Sequence, residues 1–440
     1  MLVLGCSTVR EQGSERALYP GMVVAAACIS GLAYRGSPLL LGETVQHLIP
    51  PAFVALDQVP HGSRHIADWS LIALHSDLPR RPLRDGREQL LLGREAAQHR
   101  LDREPVYARV QEEVAHRATP FSPLADIYAR FLPAQMVSDL LSLTRSWSPD
   151  VLVRDPMEFA GCIAAECLDL PHAACGPLFV FWQGAWHHTP GEVPKPELDT
   201  LRRAHGLPPD PALVMLYRYL YLAFLPPVFV GPDLDIPQTV QFLRPISFNQ
   251  SGDEGLPAWV ALLPERPTVH ASLGTIFHRT PGVFTAIIEG LRDEPINLIL
   301  AVGRDQDPAQ FGPQPTNVFI ERYIPHTGLL PYCDMVITHG GFSSVMACFN
   351  QGVPMVLIPL AGGDQRGNAH RCAALGVGRI IAPDQHTPER IREAVLEVLG
   401  NRRYRERAEQ VRDEMQLLPE PEYAVALLEK LTAGKTRDRG

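Results

Sequence analysis

The stretch Asp334–Gly378 constrains the fold more than any other part of this chain. Met335–Ile337 reads as a short apolar strand running into a Gly340-Gly341 corner. Ser343–Asn350 has a helix-compatible composition and stops at Gly352. Val353–Ile358 reads as a second buried strand, which opens onto Gly362-Gly363-Asp364-Gln365. Asn368–Leu375 reads as a further helix, with Gly376 as its stop. The result is strand–helix–strand–helix, with glycine and polar residues gathered where strands end. In open α/β sheets that edge is where ligands sit.

The chemistry of this edge suits a diphosphate. Gly340 and Gly341 lack Cβ, so the backbone turns tightly there and approaches a ligand closely. The amides of Ser343 and Ser344 fall at a helix start, where the helix supplies no acceptor and its dipole favours an anion. His339, on the strand lip, donates to a phosphate oxygen in this reading, and Asp364 and Gln365 offer acceptors and a donor for vicinal sugar hydroxyls. A His-Gly-Gly corner alone is usually just a tight turn. The order and spacing of all the pieces give the reading its weight.

With 440 residues the chain is long enough for two domains with real cores. A net charge of -9 and a pI near 6.0 exclude the basic footprint of a nucleic-acid binder. The eight cysteines are scattered and form no C-x-x-C pair, which fits buried free thiols in a reducing compartment. The longest apolar run, Ala212–Val230, is interrupted by Arg218 and Pro226-Pro227 and is too broken to span a bilayer. The expectation is a cytoplasmic protein without stable membrane insertion.

The signature stretch resembles the donor-binding motif of the family-1 nucleotide-sugar glycosyltransferases, the UDP-glycosyltransferase superfamily. It is closest to the bacterial branch that acts on macrolides and other natural products. Thr338-His339-Gly340-Gly341, Gly352-Val353-Pro354, Asp364-Gln365, Asn368-Ala369 and Leu375-Gly376-Val377-Gly378 carry the resemblance. It implies an α/β protein of GT-B fold: two facing Rossmann-like domains, with a C-terminal helix crossing back to the first. Residues 1–225 then form an acceptor-binding domain, 226–257 a linker, 258–415 a nucleotide-sugar-binding domain, and 416–440 the returning helix and tail. The resemblance further implies donor contacts from Ser272, Gly274 and Thr275 in a Ser-Leu-Gly-Thr turn, and from Tyr323, His326, His339, Gly341, Ser343, Ser344, Asp364 and Gln365. Tyr323 is placed to stack on the donor base, and His326 stands where relatives commonly carry Gln.

Before the signature, Met1–Gly5, Pro38–Leu41 and Phe53–Leu56 read as strands, and Met22–Tyr34 and Glu88–Arg117 as helices. Leu124–Trp147, Phe159–Leu168, Glu197–His205 and Leu213–Phe224 read as further helices around strands at 149–153 and 172–174. Proline recurs through Pro226–Pro257, which predicts no regular element. In the second half, strands are expected at 268–272, 297–302 and 317–321, and helices at 282–290, 389–399, 403–415 and 423–431. Lys435–Gly440 is expected to fray.

The implied activity is inverting transfer of a hexose from a UDP- or dTDP-sugar to a hydroxyl of a hydrophobic small molecule, such as a natural product, a polyketide or a sterol-like acceptor. No cofactor beyond the nucleotide-sugar co-substrate and no metal is expected, since no Asp-x-Asp pair accompanies the signature. Such chemistry needs a stabilised leaving group, a positioned acceptor and a base. The family's usual base, a His in the first loop, is missing: Ala17 stands in its place, and the first histidine of the chain is His47. Asp155 and Glu158, after the Pro149–Val153 strand, are the candidates for that role, with His61 and His65 behind them. The alternative is a binding or auxiliary protein that holds a nucleotide sugar without turning it over. Trp69, Phe121 and Phe131 are candidates for an apolar acceptor cleft, or for core.

Overall fold

The computed structural model describes residues 71–74, 129–130, 132–147, 149–178, 185–186, 189–190, 195–232, 234–245, 255–274, 280–304, 306–360 and 364–438. The elements expected before residue 71, the 88–117 helix, His61, His65, Trp69, Phe121, Phe131 and Thr275 lie outside those residues. No helix of the described residues is long and apolar enough to cross a membrane.

The first unit carries β1 (Leu71–Leu74), α1 (Leu132–Trp147), β2 (Val151–Arg154), α2 (Ala160–Cys167), β3 (His172–Gly176), β4 (Ala185–Trp186), β5 (Thr189–Pro190), α3 (Lys195–Ala204), β6 (Leu220–Ala223), α4 (Pro227–Val230) and β7 (Val240–Phe242). Its main sheet has the order β1-β2-β3-β6-β7, while β4 and β5 form a separate ribbon. The steps from β2 to β7 are parallel, and β1 is antiparallel to β2. A parallel sheet is covered on both faces, so its strands carry continuous apolar runs. β2, β3 and β6 are buried at every position.

The second unit carries β8 (Thr268–Ser272), α5 (Val283–Leu291), β9 (Asn297–Ala301), β10 (Val318–Glu321), α6 (His326–Leu329), β11 (Met335–Thr338), α7 (Phe342–Gln351), β12 (Met355–Leu357), α8 (Asp364–Ala374), β13 (Gly378–Ile380), α9 (Pro388–Gly400), α10 (Arg402–Gln416) and α11 (Tyr423–Asp438). All its strands are parallel, in the order β10-β9-β8-β11-β12-β13. The chain steps outward from β8 to β10, then returns across the sheet and continues from β11 the other way. The order therefore reverses between β8 and β11, and a crevice opens at their carboxyl ends.

Alternation along β8 sorts the two faces of this sheet. Val269 and Ala271 pack with Ile287, Leu291 and Val395 from α5 and α9. On the other face one apolar core runs from the second unit into the first, joining Val345, Phe349 and Met415 to Tyr217, Phe229 and Val230. Phe229 meets Phe349 edge-on at 5.4 Å. The C-terminal helix crosses back as expected: Ala424 and Leu428 of α11 pack against Val151, Val153, Leu220 and Leu222 of the first sheet.

Four expectations are corrected. Leu213–Phe224 is not a helix: it holds a single 3-10 turn, Val214–Leu216, followed by β6. A short apolar run buried between parallel strands has the same composition as a buried helix. Here the Asp210 carboxylate closes the turn by accepting from the amides of Val214 (3.0 Å) and Met215 (2.8 Å). Leu213 adopts φ 52, which no continuing right-handed helix permits. The proline-rich 226–257 stretch is not free of regular structure either. It contains α4 and gives strand β7 to the first sheet, because Pro227 sits at the helix start and the other prolines fall between elements. α8 begins at Asp364 rather than Asn368. The tail does not fray at Lys435, since α11 continues to Asp438.

Candidate functional site

The crevice between β8 and β11 is built from two strand ends that pair residue for residue, Thr338 opposite Ser272. Past Ser272 the chain turns at Gly274 with φ +72, and past Thr338 it turns at Gly340 with φ +82. The His339 imidazole lies directly on the backbones of Gly274 and Gly341. A Cβ on Gly274 would fall 2.6 Å from His339 Cε1, and one on Gly341 would overlap Nε2. These two glycines exist to seat a ring.

Burial, with a smaller contribution from His326, pushes the His339 pKa down to about 4. Its ring is therefore a neutral hydrogen-bonding group at neutral pH. Thr338 Oγ1 accepts from Gly340 N (3.3 Å) and lies 3.5 Å from His339 Nδ1. The hydroxyl keeps a second lone pair and its own proton, so it donates to Nδ1 or accepts from it according to the ring tautomer. In the tautomer that leaves Nδ1 as the acceptor, Nε2 carries the proton and is the ring's donor.

α7 starts beside this ring. Its cap is Gly341, which has no side chain to offer. The Asp364 carboxylate, from the start of α8, accepts from Phe342 N (3.1 Å) and from Asn368 Nδ2 (3.2 Å). The amides of Ser343 and Ser344 remain in the first turn, where the helix supplies no acceptor. Burial raises the Asp364 pKa above its ordinary value. Gln365, expected at the sugar, is only 3% exposed and accepts from Leu360 N at 3.0 Å. Asn368 donates to Gly340 O at 2.9 Å and so holds the glycine corner. Asp364 lies at the crevice, while Gln365 and Asn368 brace it from inside.

On the far side of β8 the rim carries Tyr323, whose ring lies under the Arg304 guanidinium at 3.9 Å. The face expected to take a nucleobase therefore already takes a planar cation. His326 opens α6 nearby, 5.2 Å from the ring of His270. Sequence reasoning missed His270. Its only signal was a histidine inside the apolar run Thr268–Ser272.

In the first unit the two carboxylates proposed as bases part company. Asp155 sits at the end of β2 beside the end of β3, and its Oδ1 accepts from Met157 N at 2.8 Å. Glu158 turns inward and is 8% exposed. Its Oε2 accepts from Gly161 N (2.8 Å) in the first turn of α2, and burial pushes its pKa up to about 7 against the opposing pull of Arg154. Glu158 thus braces the first turn of α2, while Asp155 stays at the strand end. The buried Arg154 guanidinium shapes the loop between them, donating to the carbonyls of Asp155, Pro156, Glu158 and Leu216 at 3.0–3.3 Å. Among the described residues no group of three or more His, Cys, Asp or Glu side chains is placed to hold a metal ion.

Two family models match this chain. Residues 98–178 match "Erythromycin biosynthesis protein CIII-like, N-terminal domain", and residues 286–431 match the C-terminal domain of the same description. Among curated proteins, demethyllactenocin mycarosyltransferase of Streptomyces fradiae is 29% identical, over 64% of this chain and 64% of its own length. The 4'-demethylrebeccamycin synthase of Lentzea aerocolonigenes is 33% identical, over 48% of this chain and 50% of its own length. This chain thus spans half to just under two thirds of these two relatives.

Among solved structures, the glycosyltransferase SnogD from Streptomyces nogalater is 26% identical with a TM-score of 0.55, covering 72% of this chain and 84% of that one. The calicheamicin glycosyltransferase CalG4 is 27% identical with a TM-score of 0.55, covering 69% and 82%. VinC, solved in complex with dTDP, shares the fold at 23% identity and a TM-score of 0.57, covering 74% and 85%. With two parallel-sheet units, a returning C-terminal helix and a glycine-lined crevice at the β8/β11 reversal, the chain belongs to the family-1 glycosyltransferases of GT-B fold, in the natural-product branch.

Proposed function

We propose that this protein transfers a sugar from a UDP- or dTDP-sugar to a hydroxyl of a hydrophobic small molecule, with inversion at the anomeric carbon and without a metal ion. The observation that carries this reading is the seat of His339 between Gly274 and Gly341, beside the first turn of α7. There a neutral N–H and the amides of Ser343 and Ser344 converge where a diphosphate would develop charge. The acceptor oxygen bonds to the anomeric carbon as the bond to the diphosphate breaks, and that electron pair moves onto the β-phosphate oxygen. Fixed donors around that oxygen lower the barrier because they need no reorganisation. A helix start and uncharged donors perform this task without Lewis-acid help, which supports the metal-free reading.

Asp155 takes the acceptor proton in this account. It lies at the rim of the first sheet, whereas Glu158 is enclosed and already bonded to α2. Phenols and other acidic hydroxyls are the favoured acceptors, because a carboxylate is a weak base towards an alcohol. The test is release of nucleoside diphosphate from UDP- and dTDP-sugars upon addition of phenolic and macrolide acceptors. Acceptor-dependent release, unchanged by chelators, supports the reading. Donor binding without release from any acceptor would favour the auxiliary-protein alternative.

A further inference from the structure

Three histidines gather below the crevice: His339 at its lip, His326 at the start of α6, and His270 two residues before the Ser272 rim. Nδ1 of His270 lies 3.1 Å from the carbonyl oxygen of Ile299. A carbonyl only accepts, so Nδ1 carries the proton and Nε2 is left as a bare acceptor. That Nε2 is buried with no partner, and so are both ring nitrogens of His326. Buried polar nitrogens are costly when unmatched, and these three belong to two rings whose centres are 5.2 Å apart at 45°. The terminal torsion of a histidine is soft, so a modest turn of His326 lets it donate to His270 Nε2. The opposite nitrogen of His326 then holds only a lone pair.

A lone pair does not bind a phosphate oxygen or a carbonyl. It binds a hydroxyl or an N–H. His326 lies between two landmarks of the sheet edge: Tyr323 with Arg304 at the ends of β10 and β9, and His339 with Gly274 at the β8/β11 reversal. A nucleotide with its base at the first and its diphosphate at the second must lay its ribose across His326, by covalent order alone. We propose that His270 is a positioning residue that fixes the tautomer of His326, so that His326 accepts a hydrogen bond from a ribose hydroxyl of the donor nucleotide. This inference rests on the nucleotide-sugar reading above.

The experiment is calorimetric titration with UDP and with its 2',3'-dideoxy counterpart, on wild type, His270→Leu and His270→Gln, each checked by thermal melting. Wild type should bind UDP about tenfold tighter than the dideoxy form, the worth of one such hydrogen bond. His270→Leu should bring that ratio to within about twofold, since the tautomer is then unset. His270→Gln should keep most of it, because its longer side chain places an amide oxygen where Nε2 was and still accepts from His326. A ratio unchanged in His270→Leu overturns the inference, while wild type that binds no nucleoside diphosphate overturns the nucleotide-sugar reading and this inference with it. If His270→Leu does not fold, long-range 1H–15N spectra of wild type decide. An acceptor nitrogen of His326 that shifts with UDP and not with the dideoxy form supports the inference, and one that shifts with neither overturns it.

Discussion

The two strand edges of this protein solve different problems by different means. At the β8/β11 edge the groups aimed into the crevice are backbone amides and a neutral ring, seated on glycines that leave room for it. At the β2/β3 edge the functional candidate is a single carboxylate, Asp155, in a loop shaped by the buried Arg154. The amides of the first edge are a property of the fold, since any chain with that crossover and those glycines presents them, and His339 adds one side-chain donor. The second is a property of one side chain. The difference teaches where the two halves are fragile. The first edge breaks when a Cβ is added to its glycines or when the His339 ring is removed, whereas the second rests on Asp155 alone.

The largest expected effect follows from that asymmetry. Asp155→Asn should lower kcat by about 10²–10⁴ with little change in donor KM, if the carboxylate is the base. Glu158→Gln should leave kcat within about threefold in the same assay, since its amide oxygen still accepts from Gly161 N. Equal losses from both variants would erase the distinction drawn between these carboxylates. Next comes Gly341→Ala. The backbone there has φ -62, so the new methyl costs no torsional strain and acts only by overlapping His339. Nucleotide affinity should fall about 10–100-fold, with the melting temperature nearly unchanged. Unaltered affinity would show that the ring need not sit there.

Stability provides two smaller tests. Leu428, 3% exposed, ties α11 to the first sheet, and Leu428→Ala should cost about 2–5 kcal/mol of unfolding free energy in denaturant titration. A loss confined to the second unit would contradict the crossing helix as a brace between them. Acid should also act selectively. The pKa values of His270, His326 and His339 are depressed to about 3, 4 and 4, from an ordinary 6.5. The unfolded chain takes up these protons first, so stability falls as pH drops from about 6.5 towards 4, by up to ~1.4 kcal/mol per pH unit for each histidine. Glu158 works in the opposite sense. Its carboxyl is raised from 4.5 to about 7, so its ionisation costs stability as pH rises through that window. Three histidines outweigh one glutamate, and His270→Asn should flatten the acid limb measured by melting between pH 4 and 7.

How much of this was legible beforehand follows the same divide. The crevice was readable because its requirement is local: Gly340, Gly341 and Gly274 mark places where a Cβ cannot go, and a strand must precede them. Apart from the short edge strand β13, the second sheet was readable because each strand is bounded by turn residues. β6 was not, since Leu220–Ala223 is apolar throughout and only its burial between β3 and β7 makes it a strand. Asp155 and Glu158 could not be separated by sequence either. They lie three residues apart after one strand, and what distinguishes them is which way the Arg154-shaped loop turns. His270 was hidden for the same reason, because its partners Ile299 and His326 come from other elements. Local backbone demands leave marks in a sequence, whereas pairings made by tertiary contact do not.

In the proposed reading, the glycine-seated ring of His339 and the start of α7 form a nucleoside diphosphate site. Calorimetric titration of wild type and His339→Ala with UDP and dTDP tests it most directly. Wild type should bind at least one of them with micromolar affinity, weakened about 10–100-fold in the variant, which loses one hydrogen bond to a charged group. Wild type that binds neither nucleotide, or a folded His339→Ala that binds as tightly as wild type, would contradict it.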